Sequence, residues 1–378
     1  MDNQEMISRD KECMMQTYSR FPIAVDHGQG SLLYDVEGRE YVDFTSGIGV
    51  NCLGYGNWKW ASAVGAQALR LAHVSNLFYS EPYIALAEQL CARSGMSAAF
   101  FANGGGEANE GMIKLARKYS FDKYGYGRST IITLNNSFHG RTVTTLAATG
   151  QAVFHQYFFP FTEGFRYADA NDIDSIRENG GDDVCAVMLE LVQGEGGVYP
   201  MDRDFVHQLA VLCAENDWLL LVDEVQTGVG RTGTLFAYQQ YGVLPDVVSF
   251  AKGIGGGLPL GGILANEKCR NVLGPGMHAT TFGGNPVSCA GGVAVLEQLD
   301  DALLEEVKIK GELIRDYISG LNSPYRLFNR RVARGRAFLI TELNLLANEV
   351  GEDVCIKCSL QQAVIVIPVH HRFKADFR

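Results

Sequence analysis

Short apolar runs that alternate with helix-patterned stretches constrain this chain more than any other feature. Residues 98–101 (AAFF), 130–134 (TIITL), 184–190 (VCAVMLE), 218–223 (WLLLVD) and 246–251 (DVVSFA) read as strands, with helical patterns such as 107–119 and 203–216 between them. Strands apolar on both faces need cover on both faces, which predicts an α/β fold around a central, mainly parallel sheet. At 378 residues the chain exceeds the roughly 250–300 residues that one core serves, so a second, smaller unit is expected. Residues 32–44 (LLYDVEGREYVDF) alternate around Glu37-Gly38 as a β-hairpin, 289–321 read as one long helix or two, and 338–343 and 363–369 are strand-like. Hairpin and tail together suit a small α+β domain. The expected division is 1–55 as an N-terminal part of that domain, 56–288 as the large domain and 289–378 as its C-terminal part.

The charge balance of 32 Lys+Arg against 43 Asp+Glu, net −11, argues against nucleic acid or an anionic membrane as main partner. Nine scattered cysteines fit free thiols in a reducing compartment. Cys355-x-x-Cys358 lacks a second pair or a nearby His at ligand spacing, so apolar burial is the expectation and no metal is expected. The polar N-terminus is no signal peptide and no apolar run reaches about 18 residues, so a cytoplasmic location is expected.

In doubly covered sheets, ligands bind beyond the carboxyl ends of the strands. After AAFF comes Asn103-Gly104-Gly105-Gly106-Glu107 and then a helix, with Glu110 and Lys114 expected as a solvent-side pair. Bare N–H groups at that helix start suit a phosphate, although a tight strand-to-helix turn has the same pattern. Shortly after TIITL comes Asn136-Ser137-Phe138-His139-Gly140-Arg141, which suits stacking and ion pairing or a plain capped turn. Glu190 and Glu195 follow the next strand, as acid/base candidates or as surface carboxylates. Asp223 ends WLLLVD, where a buried carboxylate needs a cation or several donors. Lys252 follows DVVSFA, where burial would depress its pKa and make it a nucleophile for an aldehyde. Gly228-Val229-Gly230-Arg231-Thr232-Gly233 matches G-x-G-x-x-G literally but sits several residues past the strand, so an NAD-dependent dehydrogenase rests on that match alone.

A phosphate cradle, an aromatic, an Asp for a ring nitrogen and a Schiff-base Lys are together what pyridoxal 5′-phosphate (PLP) needs. The sequence resembles the class III (subgroup II) PLP-dependent aminotransferases, nearest their acetylornithine-acting branch. The likeness runs from about residue 20 to about 345 and is carried by FFANGGGEANEGMIKLARKY (100–119), SFHGRT (137–142), QGEGGV (193–198), DEVQTGVGRTG (223–233), PDVVSFAKGIGGGLP (245–259) and HATTFGGNP (278–286). It implies a fold-type I PLP-dependent transferase acting as a homodimer with shared active sites. By motif it implies that Lys252 forms the Schiff base, Asp223 pairs with the pyridinium, Gln226 lies beside the ring oxygen and Phe138 stacks on the ring. It further implies that Gly105 and Gly106 bind the phosphate with Thr281 of the other subunit, that Arg141, Glu195 and Arg372 meet substrate, and that Glu190 supports the pocket.

The implied reaction moves the δ-amino group of N-acetylornithine to 2-oxoglutarate in a step of arginine biosynthesis, with N-succinyl-diaminopimelate as a further substrate in some members. Ornithine aminotransferases carry a tyrosine where this chain has Gly47, which favours an acylated substrate. The alternatives are transaminases of ornithine, 4-aminobutyrate or putrescine, and a weakly active PLP-binding homologue. The family's N-S-G-A-E is here Asn103-Gly104-Gly105-Gly106-Glu107, which loses a hydroxyl and predicts weaker cofactor retention. The tail around His370-His371-Arg372 departs most and reads as shortened.

Overall fold

The computed structural model describes residues 1–320, 355–359 and 362–368. Its strands in chain order are β1 Val25–Gln29, β2 Leu32–Asp35, β3 Glu40–Asp43, β4 Ala98–Ala102, β5 Thr130–Leu134, β6 Phe165–Ala168 and β7 Val184–Leu189. They continue with β8 Val192–Gln193, β9 Tyr199–Pro200, β10 Leu219–Asp223, β11 Val247–Phe250, β12 Gly261–Ala265, β13 Cys355–Ser359 and β14 Gln362–Pro368. The apolar runs become neighbours in one seven-stranded sheet, ordered β4-β12-β11-β10-β7-β5-β6. From β11 to β6 all neighbours are parallel. β8 and β9 form a separate two-stranded ribbon.

Alternate residues of β10 feed opposite faces of the sheet. Leu220 and Val222 join a core with Phe236 and Phe250, whereas Leu219 and Leu221 pack with Met112 and Ala116 of helix Gly105–Tyr124. Each fully buried Leu or Val there contributes about 1.5–3 kcal/mol. β12 departs from the expected pattern, because it runs antiparallel to both β11 and β4. Its sequence, GGILA, hides a strand behind glycines. A Cβ on Gly262 would stand 2.2 Å from the Phe100 carbonyl oxygen and 2.9 Å from the Phe250 ring, so close strand packing requires glycine there.

The second sheet is antiparallel and ordered β1-β2-β3-β14-β13, so the N-terminal hairpin and a strand of the tail do share one sheet. The hairpin register pairs Leu32 with Val42 and Leu33 with Tyr41. Buried Asp35 holds its turn, accepting from Arg39 Nε at 2.7 Å, Tyr41 Oη at 2.8 Å and the Glu37 and Arg39 N–H groups. The 289–321 stretch is two helices, Pro286–Gln298 and Asp301–Gly320. The expected strand at 338–343 and Arg372 lie outside the described residues.

The literal G-x-G-x-x-G forms turns, not a strand-to-helix junction. A Cβ at Gly233 would meet Lys308 Cγ at 2.4 Å, so this glycine serves the contact with helix Asp301–Gly320. The expected Glu110–Lys114 pair gives way to tertiary partners. Glu110 Oε1 accepts from Thr142 Oγ1 at 2.6 Å, and Lys114 Nζ donates to the Met277 carbonyl at 2.8 Å.

Candidate active site

The carboxyl ends of β4, β5, β7, β10 and β11 converge on a cavity of about 770 Å³. Gly105, Gly106, Phe138, Arg141, Glu190, Glu195, Asp223, Gln226 and Lys252 all line it. Thr281 is exposed and lies outside that lining.

At one end stands the start of helix Gly105–Tyr124. Its first N–H groups have no acceptor within the helix, and its dipole presents positive charge there. Glu107 Oε2 reaches back to the N–H of Asn103 at 2.9 Å and to its side-chain amide at 2.8 Å, which closes the turn. A Cβ on Gly105 would meet Val225 Cγ1 at 2.7 Å, so glycine lets the cradle approach the loop after β10.

At the other end is Asp223, only 4% exposed. Its Oδ2 accepts from Asn109 Nδ2 at 2.7 Å and lies 2.8 Å from His139 Nδ1, while Oδ1 accepts from the Val225 N–H at 3.0 Å and Ser249 Oγ at 3.3 Å. The several donors that a buried carboxylate needs are therefore present. Asn109 was not among the expected site residues, and His139 was expected only within its segment as a ligand-facing group, not as a partner of Asp223. The available signal for Asn109 was a polar residue beside Ala108 on the buried stripe of an amphipathic helix.

Lys252 follows β11 with φ 50°, a left-handed conformation that a non-glycine residue seldom adopts. Its amine donates to Gln226 Oε1. Burial lowers the Lys252 pKa against the opposing pull of the Asp223, Glu195 and Glu190 carboxylates. Glu190 is pushed well above the ordinary carboxylate range, first by burial and then by Asp223. Arg141 lies at the rim, its guanidinium carbon 4.2 Å from the centre of the Phe154 ring and 5.5 Å from that of Phe138.

An anion cradle, a poised amine and an anchored carboxylate share one cavity, and this donor set fits a flat, phosphorylated, aldehyde-bearing pyridine. The sequence model of the class-III aminotransferases matches residues 13–374, beyond both ends of the 20–345 stretch that carries the motifs. This chain belongs to the class-III aminotransferases.

Among curated relatives of this aminotransferase, the acetylornithine aminotransferase of Haemophilus ducreyi is 52% identical over 85% of this chain and 82% of its own. A solved ornithine aminotransferase from Toxoplasma gondii superposes with a TM-score of 0.79 at 29% identity, over 84% of this chain and 76% of that one. The solved N-acetylornithine aminotransferase of Stenotrophomonas maltophilia gives a TM-score of 0.69 at 36% identity, over 83% and 78%. Shape alone thus does not separate the two substrate types.

Proposed function

We propose that this aminotransferase uses PLP to move the δ-amino group of N-acetylornithine to 2-oxoglutarate, giving N-acetylglutamate 5-semialdehyde and glutamate. The observation that carries the reading is the Lys252 amine, desolvated in the same cavity as Asp223 and the glycine cradle. The cofactor's electron-poor ring stabilises the charge left when a C–H bond beside the transferred nitrogen breaks.

The chain's own residues supply the rest. Lys252 binds the aldehyde, and its depressed basicity suits it to take and return a proton at Nζ. Asp223, held by Asn109 and His139, would keep a proton on the ring nitrogen. Gln226 accepts from the Lys252 amine and would orient it, Phe138 would cover the ring, and Gly105 and Gly106 would hold the phosphate. Glu190, whose pKa is raised first by burial and then by Asp223, accepts the Phe138 N–H and supports that segment. Arg141 and Glu195 would meet the substrate at the rim, and the resemblance implies a substrate contact for Arg372, which lies outside the described residues.

Two features support an acylated donor. Relatives named for acetylornithine reach 52% identity. Gly47 has φ 61°, and a Cβ there would stand 3.0 Å from Asn51 Nδ2, so a tyrosine at this place would need a different local backbone. The superposition on an ornithine aminotransferase favours free ornithine as the second reading.

The proposal includes a homodimer in a cytoplasmic setting, with the small domain drawn from 1–55 and 289–378. Leu77, Phe78 and Tyr79 are 82%, 71% and 97% exposed, and Phe282, next to Thr281, is 61% exposed. Asn76 Nδ2 donates to the Gly283 carbonyl at 3.0 Å, which joins these two segments into one apolar patch that a second copy would cover and from which Thr281 would reach that copy's phosphate. Free thiols at Cys13, Cys52, Cys91, Cys185, Cys213, Cys269 and Cys289 support a reducing compartment, and no described helix is long and apolar enough to cross a membrane.

The deciding experiment assays N-acetylornithine, free ornithine and 4-aminobutyrate, each with 2-oxoglutarate. N-acetylornithine is expected to have the highest kcat/KM, and a higher value for either rival would overturn the substrate assignment. Leu77→Glu is expected to yield an inactive monomer by light scattering, whereas an active monomer would remove the shared site.

A further inference from the structure

We infer that Asn109 is a positioning residue that ties the phosphate end of the site to its ring-nitrogen end and keeps the Asp223 carboxylate fixed. The inference rests on the PLP reading above.

Asn109 sits one turn into helix Gly105–Tyr124, whose first residues form the anion cradle. Its side chain is buried, and one amide nitrogen serves two acceptors, the Asp223 carboxylate and the His139 carbonyl, each at 2.7 Å. A single group therefore joins the phosphate helix, the Phe138-His139 backbone and the carboxylate that faces the ring nitrogen. A slip of the helix would move both ends of the site together.

The second observation is what this arrangement leaves unsatisfied. With Nδ2 turned to those two oxygens, Asn109 Oδ1 is buried with no hydrogen-bond partner. An orphaned buried acceptor is destabilising, and a leucine of similar volume would not carry it. The same leucine would take a donor from the His139 carbonyl and from Asp223, so the asparagine is accounted for by what it donates to. Its donors are what an apolar residue cannot replace. Nor does the rest of the Asp223 environment duplicate them, because His139 Nδ1 meets the same oxygen from another strand end and leaves its own Nε2 buried without a partner.

The consequence is electrostatic. With fewer donors, a carboxylate competes harder for a shared proton. The bound ring then carries less positive charge, and the pH midpoint of the cofactor's visible band moves upward.

The test compares wild type with Asn109→Leu, which keeps volume, and Asn109→Ala, which does not. Cofactor affinity is measured by equilibrium titration of the cofactor-free protein, the midpoint by absorbance against pH, and folding by the Tm of the cofactor-free protein. Both variants are expected to bind PLP about tenfold or more weakly and to shift the midpoint upward, while the cofactor-free Tm of Asn109→Leu falls no further than that of Asn109→Ala. Unchanged affinity and midpoint in Asn109→Leu would overturn the inference. So would losses in both variants that follow a fall in cofactor-free Tm with no change of midpoint, because that is a packing role. Failure of the PLP reading is distinguishable, since wild type itself would then show no visible band.

Discussion

Glu190 Oε2 accepts the backbone N–H of Phe138 at 2.9 Å, although the two residues lie 52 apart in sequence. The bond joins the ends of the neighbouring strands β5 and β7 and fixes the segment that presents Phe138 and His139 to the cavity. Glu190 is buried and its pKa is raised, so its charged form is the disfavoured one in the folded protein.

Removing the acceptor leaves a part-buried N–H unpaired. Glu190→Ala is expected to destabilise the cofactor-free protein by about 1–3 kcal/mol and to weaken PLP binding. Glu190→Gln keeps an oxygen for Phe138 and sheds the disfavoured charge, so its stability should match or exceed that of wild type at neutral and higher pH. Chemical denaturation across pH reads both. Equal loss in the two variants would show that charge, not the acceptor, is what the site requires.

Glu224 gives a pH signature. Fully buried, it accepts from the Tyr238 N–H at 2.8 Å and from Thr227 Oγ1, yet burial raises its pKa from 4.5 to about 7. A raised carboxylate pKa stabilises the fold below the unfolded value and loses that contribution as pH climbs through the folded one. Wild type should therefore lose about 3 kcal/mol relative to Glu224→Gln between pH 4.5 and 7, and nothing more above that. A difference between the two proteins that is flat across this window would contradict the assignment.

Gly104 should accept a serine. It caps helix Gly105–Tyr124 with extended backbone, φ −172°, without a side-chain cap bond, and a Cβ there meets nothing within 4 Å. Gly104→Ser adds a hydroxyl at the anion cradle and a helix cap, so PLP affinity is expected to rise about two- to tenfold. Titration of the cofactor-free protein measures it, and no tightening would show that the hydroxyl has no role in this cradle.

Much of this architecture was legible in the residues. Val184–Leu189 and Leu219–Asp223 are buried along their whole length, and burial on both faces is what writes continuous apolar runs. Asp223 and Lys252 stood out because ionisable groups at the ends of such strands need partners. β12 was not legible, since Gly261 and Gly262 answer to the closeness of β4 and β11 rather than to strand propensity. The Glu110–Lys114 pair failed because local spacing carries no information about Thr142 or Met277, whose approach depends on the tertiary fold. The link from Asn109 to Asp223 spans 114 residues and becomes visible only when helix and sheet are packed.

The central claim is that the Lys252 amine is covalently joined to PLP. Borohydride reduction of the PLP-loaded enzyme, followed by digestion and peptide mass mapping, tests it directly. The account predicts reduced cofactor on the peptide that contains Lys252 and none in Lys252→Ala. Reduced cofactor on a different lysine, or transamination that persists in Lys252→Ala, would contradict it.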